Sequence, residues 1–195
     1  MAESTGVTHR ISQSRYSEVT QLVDLFTDDW SSLGSFTPVG ENDLPRAYAS
    51  LLAHHDHMTV TLEEYHNSLV SVEVVEERAE ENWYARQSLL ARISDDAIVQ
   101  YGIMRIDVSG LPTNVRHAIE THAAPLGRIL IENNLLRHVE LLALWRIEVG
   151  PRLAEPLGLS VGDVIYGRSA VIHLSGARAV DLLEIVTDHP VPRDT

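Results

Sequence analysis

Apolar side chains recur at helical spacing near the start of the chain, and the spacing later changes to that of strands. Residues 15–27 predict an amphipathic helix, with Tyr16, Val19, Leu22, Val23 and Phe26 on one face. Residues 31–38 are rich in turn-forming residue types and predict a loop. A second helix is expected from Asp43-Leu44-Pro45 to about Asp56, because proline is favoured in the first turn of a helix.

The remainder of the chain alternates between strands and short helices. The predicted strands cover residues 69–76, 84–93, 97–106, 136–149, 164–174 and 179–186. The predicted helices open at Leu111 and Arg128, and a short one covers residues 151–157. The turns Ser94-Asp95-Asp96 and Ser175-Gly176 each join two strands as a hairpin. Strands joined mostly by hairpins favour an antiparallel α+β domain over a doubly wound parallel sheet.

Composition and charge narrow the class of protein. The 195 residues, 44% of them hydrophobic, suffice for one domain with a core. Fifteen basic against 28 acidic residues give a net charge of −13, which argues against a nucleic-acid partner. No apolar stretch approaches the roughly 20 residues that span a bilayer, and the first ten residues are polar. We therefore expect a soluble cytoplasmic protein without a membrane partner, either a monomer or a weak homodimer.

Two residue types are absent from the sequence, and their absence limits the chemistry. Without cysteine, the chain has no thiol nucleophile, disulfide or cysteine-ligated metal. Without lysine, it has no Schiff-base amine and no P-loop lysine, and all 15 basic residues are arginine. A catalyst made from this chain must use His, Asp, Glu, Tyr, Ser, Thr, Arg and backbone amides.

Glu184 and Arg86 lie within predicted strands, where a charged side chain can face either water or a polar cavity. Glu184 shares its face with Val180, Leu182 and Val186, and both faces of that strand are largely apolar. If Glu184 points inward, its carboxylate needs a cation or hydrogen bonds. Arg86 lies on a face of mixed polarity, so that a solvent-facing and a cavity-facing arginine both fit the pattern.

The His54-His55-Asp56-His57 run raises the question of a metal site. On a helix, His54 and His57 would share a face but His55 would not, and His117 and His122 also fail to align. The sequence has no HExxH motif, so surface or capping histidines are the favoured interpretation. GxGxxG and GxSxG are also missing, and Ser169 lies inside a strand pattern rather than on a nucleophile elbow.

Five short motifs follow one another in a fixed order along the chain. They are Asp56-His57-Met58-Thr59, Trp83-Tyr84-Ala85-Arg86, Ala124-Pro125-Leu126-Gly127-Arg128, Tyr166-Gly167-Arg168-Ser169 and Leu174-Ser175-Gly176, the last ahead of Glu184. In this order and spacing the sequence resembles the chorismate pyruvate-lyase (4-hydroxybenzoate synthase) family and its bacterial relatives in specialised metabolism. The resemblance covers about residues 45–190, which leaves residues 1–44 as a tail and helix and residues 191–195 as a second tail.

The resemblance implies a six-stranded antiparallel sheet with helical clusters that close over a buried aromatic-acid pocket. It implies no metal and no organic cofactor. Its catalytic residues fall on Arg86 and Glu184, and its substrate-binding groups on these two side chains and the backbone amides of Met58 and Leu126. The expected activity is elimination of pyruvate from chorismate or a close analogue, which yields 4-hydroxybenzoate or a related aromatic acid.

The sequence departs from the family at three positions. Leu183 replaces a threonine, Ile103 replaces an arginine and Tyr166 replaces a tryptophan. Two alternatives therefore stay open: a non-catalytic protein that binds an aromatic carboxylate, and an enzyme of the same fold for another elimination or cyclisation. Some transcription regulators carry a related ligand-sensing fold, but behind a winged-helix DNA-binding domain that the acidic first 44 residues do not suggest.

Overall fold

A computed structural model describes residues 18–135 and 137–188, which form one seven-stranded antiparallel sheet flanked by short helices. The strands are β1 (Gly34–Val39), β2 (Val70–Ala79), β3 (Trp83–Arg92), β4 (Ile98–Asp107), β5 (Arg137–Val149), β6 (Val164–Leu174) and β7 (Ala177–Val186). The helices are α1 (described over residues 18–23), α2 (Arg46–Leu52), α3 (Met58–His66), α4 (Thr113–Glu120), α5 (Leu126–Glu132) and α6 (Pro151–Leu157). Single 3-10 turns cover Trp30–Ser32 and Glu41–Asp43.

The strands lie in the order β1-β5-β6-β7-β4-β3-β2, and every neighbouring pair is antiparallel. Tight connections join β2 to β3, β3 to β4 and β6 to β7, as expected for a sheet made mainly of hairpins. The predicted antiparallel α+β domain is therefore confirmed.

Because side chains alternate along each strand, the sheet has two apolar faces, and different helices pack on each of them. On one face, Ala85 and Leu89 of β3 share a core with Val19 and Leu22 of α1 and with Leu153 of α6. On the other face, two smaller cores lie under the helices. One contains α4 and α5, and the other contains α2 and α3. The second face is therefore the one on which a space between two helical clusters can open.

The expectation of six strands is wrong, because residues 31–38 are not simply a loop. Residues 34–39 form the edge strand β1, which pairs with β5 along its whole length. Gly34 has a φ of +136°, and a Cβ there would lie 2.1 Å from the Glu148 carbonyl oxygen. Phe36 is the buried anchor of the strand and packs edge-on against Trp145. Since β1 lies within residues 1–44, the sheet begins ahead of the segment that carries the family resemblance.

The single helix expected to end near Asp56 is also wrong in extent. Helix α2 ends at Leu52, and a separate helix, α3, follows a loop of residues 53–57. Helix α3 is rich in threonine and glutamate, which hides its narrow buried face in the sequence. The first predicted helix lies partly outside the described residues, but its described part is helical over residues 18–23. His57, the last residue of this loop, lines a cavity on the second face of the sheet.

Candidate ligand-binding site

A cavity opens between the α2–α3 and α4–α5 clusters on the second face of the sheet. Its volume, measured as the space open to the centre of a water molecule, is about 50 Å³. Its polar lining residues are His57, Thr59, Arg86, Ser88, Gln100, Arg168 and Glu184. Its apolar lining residues include Met58, Leu90, Met104, Leu126, Val139, Ile172 and Leu182. Apolar walls with a few convergent polar groups are typical of a small-molecule site.

The register of the sheet places the floor residues in rows across β3, β4, β7 and β6. The central row is Ser88, Gly102, Glu184 and Arg168. The row on one side begins with Arg86 opposite Met104, and the row on the other side has Gln100 opposite Leu90. Because side chains two residues apart share a face, these rows all point to the cavity side. A Cβ at Gly102 would lie 3.0 Å from Gln100 Nε2, so that the glycine makes room for the Gln100 carboxamide.

Arg86 is a buried cation that no acidic side chain among the described residues approaches to ion-pair distance. Its side chain is 2% exposed, and it forms no ion pair within residues 18–135 and 137–188. Nη1 donates to the Ile119 carbonyl oxygen at 3.3 Å, whereas Nε has no hydrogen-bond partner among the described residues. Burial lowers the pKa of Arg86, whereas the nearby Tyr84 hydroxyl and, through its charge, the Glu77 carboxylate act in the opposite direction. Arginine remains charged even so, and an anion that enters the cavity finds a donor ready for it.

Arg168, in contrast, has its partners within the protein. Nε donates to Glu184 Oε2 at 2.7 Å, and both side chains are buried. Nη1 donates to the His54 carbonyl oxygen at 3.1 Å, and Nη2 to that of Asp56 at 3.2 Å. One guanidinium thus neutralises the buried glutamate and also ties the 53–57 loop to the sheet.

Helices α3 and α5 begin at the cavity and approach each other closely. Met58 and Leu126 are their first residues, and both line the cavity. A Cβ at Gly127 would lie 2.8 Å from Thr59 Oγ1, so that only glycine allows the two helix starts to pack this closely. His57 precedes α3 and accepts a hydrogen bond from Arg137 Nε at 2.6 Å. Burial first, and Arg137 second, lower the pKa of His57, which favours its neutral form.

The α4–α5 cluster is fastened to the sheet next to Arg86. Tyr84 donates to Glu77 Oε2 at 2.8 Å, and His122 Nε2 lies 2.8 Å from the same oxygen. The Tyr84 hydroxyl, followed by His122, lowers the pKa of Glu77. His122 holds this position with a φ of +55°, which is uncommon outside glycine. This contact brings the Ile119 end of α4 within reach of Arg86.

The structure brings together all four residues selected from the sequence. Met58, Arg86, Leu126 and Glu184 come from separate elements and line one cavity. The open question about the two strand residues is answered, since both face inward. Their catalytic and substrate-binding roles stay predictions.

Three further residues of the cavity, Ser88, Gln100 and Arg168, had not been selected from the sequence. A signal for Arg168 was present, since it lies in a quoted motif and pairs with Glu184 across two predicted strands. Ser88 and Gln100 carried no signal beyond a polar residue on an apolar strand.

The histidine run has structural partners. His54 Nε2 lies 2.7 Å from the Leu51 carbonyl oxygen, and His55 Nδ1 lies 3.2 Å from that of Val139. In the part of the chain that the structure describes, no group of three or more His, Asp or Glu residues is arranged to hold a metal ion. No helix among these residues is both long and apolar enough to cross a membrane.

No protein-family model matches this chain, and no curated protein matches it significantly. Several solved structures share part of its architecture. The ligand-binding domain of a protein described as a GntR-family transcriptional regulator, from Bordetella bronchiseptica, is 16% identical with a TM-score of 0.46. It aligns over 65% of this chain and 90% of its own.

Two other structures give similar values. A protein described as a regulator from Escherichia coli CFT073 is 13% identical, with a TM-score of 0.48 and coverage of 62% of this chain and 97% of that one. The C-terminal domain of the histidine utilization repressor from Pseudomonas syringae is 12% identical, with a TM-score of 0.41 and coverage of 65% and 98%. At these values the likeness concerns part of the architecture and nothing finer, and the resemblance to chorismate pyruvate-lyases stays a prediction.

Proposed function

We propose that the cavity binds a small carboxylate with a ring-sized apolar body, and that the chain is a cofactor-independent lyase acting on chorismate or a close analogue. The observation that carries the proposal is the buried Arg86 guanidinium, which forms no ion pair among the described residues and whose Nε has no hydrogen-bond partner there. A buried charge without a counter-ion is costly, and a bound carboxylate would offset that cost through charge-assisted hydrogen bonds.

The charges of the cavity lining support an anionic ligand. Arg168 and Glu184 neutralise each other at 2.7 Å, so that Arg86 leaves an excess of one positive charge. The surrounding Leu90, Met104 and Leu182 offer apolar contact to the body of the ligand. A single carboxylate joined to an apolar ring matches both features.

The proposed reaction needs no redox partner and no co-substrate. The bond between ring carbon 3 and the ether oxygen of chorismate breaks, and the ring loses the hydrogen of carbon 4 as a proton. The departing enolpyruvate takes up a proton at its methylene carbon and becomes pyruvate, so that atoms and charge balance. Aromatisation of the ring drives the elimination, and the protein has to position the substrate and stabilise the charge that develops on the leaving group.

The cavity supplies candidate groups for each of these tasks. Arg86 would hold the ring carboxylate, and Glu184, kept in place by Arg168, would lie beside the ring carbons that react. The backbone amides of Met58 and Leu126 are the donors that the family resemblance implies. Donors fixed in this way contribute up to about 3–4 kcal/mol each to transition-state stabilisation in comparable sites.

Binding is tested by titration calorimetry with 4-hydroxybenzoate. We expect a saturable 1:1 complex, and at least about thirtyfold weaker binding in Arg86→Met, because a buried charge pair typically contributes 2–5 kcal/mol. Arg105→Met, which removes a guanidinium from a partly exposed ion pair with Asp181, is the matched control and should bind normally. Equal affinity in Arg86→Met and the wild type would refute the proposed site.

Turnover is tested by pyruvate release from chorismate, followed with a coupled lactate dehydrogenase assay. Glu184→Gln should reduce kcat by about 100-fold or more while the folded state is retained. Binding without pyruvate release by the wild type would leave the aromatic-carboxylate-binding alternative. Full activity in both Arg86→Met and Glu184→Gln would exclude this cavity as the active site.

A further inference from the structure

The histidine run ahead of α3 has no part in the proposed chemistry, yet two of its rings hold their loop against the sheet. His54 Nδ1 accepts a hydrogen bond from Arg168 Nη1 at 3.2 Å and another from the Asp56 amide at 3.1 Å. His57 Nε2 accepts a hydrogen bond from Arg137 Nε at 2.6 Å. Guanidinium and amide groups can only donate, so that both imidazoles are bound in their neutral form.

His57 also separates the cavity from an open groove on its outer side. His57 and Val139 line both spaces, and the outer groove is lined in addition by His55, Arg137 and His138. The His57 residue is half-buried between the two spaces. Because the hydrogen bond from Arg137 holds the imidazole in this wall, movement of the ring would join the cavity to the groove and to solvent.

A proton on either ring reverses the contact with its arginine. A protonated imidazole has no acceptor nitrogen, so that the hydrogen bond is lost and two cations face each other. Burial first, and Arg168 or Arg137 second, therefore lower the pKa of His54 and His57, respectively. Arg168 also donates to the carbonyl oxygens of His54 and Asp56. These bonds weaken too, because the repulsion acts on the same guanidinium.

The other charged groups around the two rings do not compensate for this repulsion. Glu184 and Asp56 favour the protonated form of both histidines. Glu184 is already paired with Arg168 at 2.7 Å, however, and Asp56 is exposed, so that solvent and salt screen its charge. In the outer groove, His55 and His138 stack with 6.5 Å between their ring centroids, and protonation there adds further positive charge.

We propose that the loop of residues 53–57 is a proton-sensitive gate of the cavity. A proton on Nδ1 of His54 would release the loop from Arg168. A proton on Nε2 of His57 would release it from Arg137 and join the cavity to the outer groove, so that ligands enter and leave more readily at mildly acidic pH. The gate does not depend on the proposed function, because it concerns access to the cavity and not the compound that binds there.

The size of the effect follows from the ordinary pKa of histidine. In the released loop both rings titrate near pH 6.5, as in an unfolded chain, whereas in the bound loop they stay neutral. The released loop therefore binds more protons, and acid favours it. Each histidine raises the ratio of released to bound loop by up to about tenfold between pH 7.5 and pH 5.5, and the two together by up to about 100-fold.

The test is amide hydrogen exchange of the ligand-free protein at pH 7.5 and pH 5.5, with each rate corrected for the intrinsic pH dependence of exchange. Protection of the Asp56 amide should fall by up to about 100-fold, while the amides of β4 and β7 keep theirs. In His57→Asn, whose side chain accepts a hydrogen bond but gains no proton in this range, the fall should be about tenfold. His55→Asn is the matched control, because His55 donates from Nδ1 to the Val139 carbonyl oxygen at 3.2 Å and a protonated ring keeps that bond.

Each outcome supports or overturns the gate. A change of less than about twofold at Asp56 in the wild type would overturn it, and this measurement requires no variant to fold. So would an undiminished fall in His57→Asn, a lost response in His55→Asn, or an equal fall in β4 and β7, which would indicate loosening of the whole sheet. None of these measurements uses a ligand, so that failure of the proposed function is detected separately by calorimetry.

Discussion

Arg86 and Arg168 are two buried guanidinium groups on the same face of one sheet, yet their surroundings are opposite. Arg168 contacts a carboxylate and two backbone carbonyl oxygens, so that its charge and its donors are satisfied within the protein. Arg86 has one long hydrogen bond to a carbonyl oxygen and an Nε without a partner among the described residues. Burial alone therefore does not distinguish a structural arginine from a ligand-binding one, but the set of partners does.

The difference also separates stability from recognition. Replacing a charged side chain that is fully paired within the protein leaves its buried partners unpaired, which destabilises the folded state. Replacing a buried charge that has no partner instead removes a desolvation cost that the folded state already bears. We therefore expect substitutions at Arg168 to affect folding and substitutions at Arg86 to affect binding.

The largest effect is expected for Arg168→Met, which leaves Glu184 buried without its counter-ion. The free energy of unfolding should fall by about 3–5 kcal/mol, as measured by urea denaturation monitored by circular dichroism. The double variant Arg168→Met/Glu184→Leu should recover much of this loss, because it replaces both members of the pair with apolar groups. If the unfolding free energy lost in the double variant equals the sum of the losses in the two single variants, the pair does not act as a unit.

The next effect concerns ligand-induced stabilisation. At a free 4-hydroxybenzoate concentration of about 100 times Kd, binding to the folded state adds about 2.7 kcal/mol to the free energy of unfolding. Thermal denaturation with and without the ligand should show this gain in the wild type and, at the same ligand concentration, less than about 1 kcal/mol in Arg86→Met. A gain of the same size in Arg86→Met would show that the ligand binds elsewhere.

A smaller effect is expected from the histidines of the loop that Arg168 holds. Burial is the main cause that lowers the pKa of His54 and His57 from 6.5, and Arg168 and Arg137, respectively, add to it. As the pH falls below about 6.5, the unfolded chain binds protons at these positions that the folded chain does not. The free energy of unfolding should therefore decrease between about pH 7.5 and pH 5.5, above the range in which most carboxylates titrate.

The control for this pH dependence is the exposed His117 on α4. His57→Asn should reduce the slope of unfolding free energy against pH, whereas His117→Asn should leave it unchanged. Equal slopes in all three proteins would show that the loop histidines are not the cause.

The smallest effect is expected for Arg86→Met in the absence of ligand. Because an apolar side chain of similar volume replaces an unpaired buried charge, the free energy of unfolding should stay within about 1 kcal/mol of the wild type or rise. A loss of 3 kcal/mol or more would place Arg86 in the same structural class as Arg168 and remove the contrast between them.

The fold could be predicted from the sequence wherever local pattern and tertiary environment agree. The β3–β4 and β6–β7 hairpins follow from alternating apolar runs around Ser94-Asp95-Asp96 and Ser175-Gly176, and the structure has them there. Strand β1 was missed because Gly34, Pro38 and several small polar residues resemble a loop, and only pairing with β5 makes them a strand. Helix α3 was missed because its threonines and glutamates mask the apolar face.

The site was predictable in part, for a different reason. The order of the five short motifs along the chain pointed to Met58, Arg86, Leu126 and Glu184. These residues line one cavity although they are far apart in sequence. Which way Glu184 points could not be decided from its strand, because both faces are apolar. Leu183 is buried in the core on the opposite face of the sheet. That Gln100 lines the cavity depends on the register between β3 and β4, which a single sequence does not specify.

The two outer strands of the sheet have a consequence for how the molecule meets other chains. Free strand edges attract further strands and so favour aggregation. Pro38, the fifth of the six residues of β1, has no amide hydrogen to offer to an incoming strand. At the other edge, β2 is interrupted by a bulge between Val74 and Glu76 and carries Glu73, Glu76 and Glu77. The β1 edge lacks one backbone donor, whereas the β2 edge is distorted and negatively charged. Both features disfavour pairing with a strand of another chain.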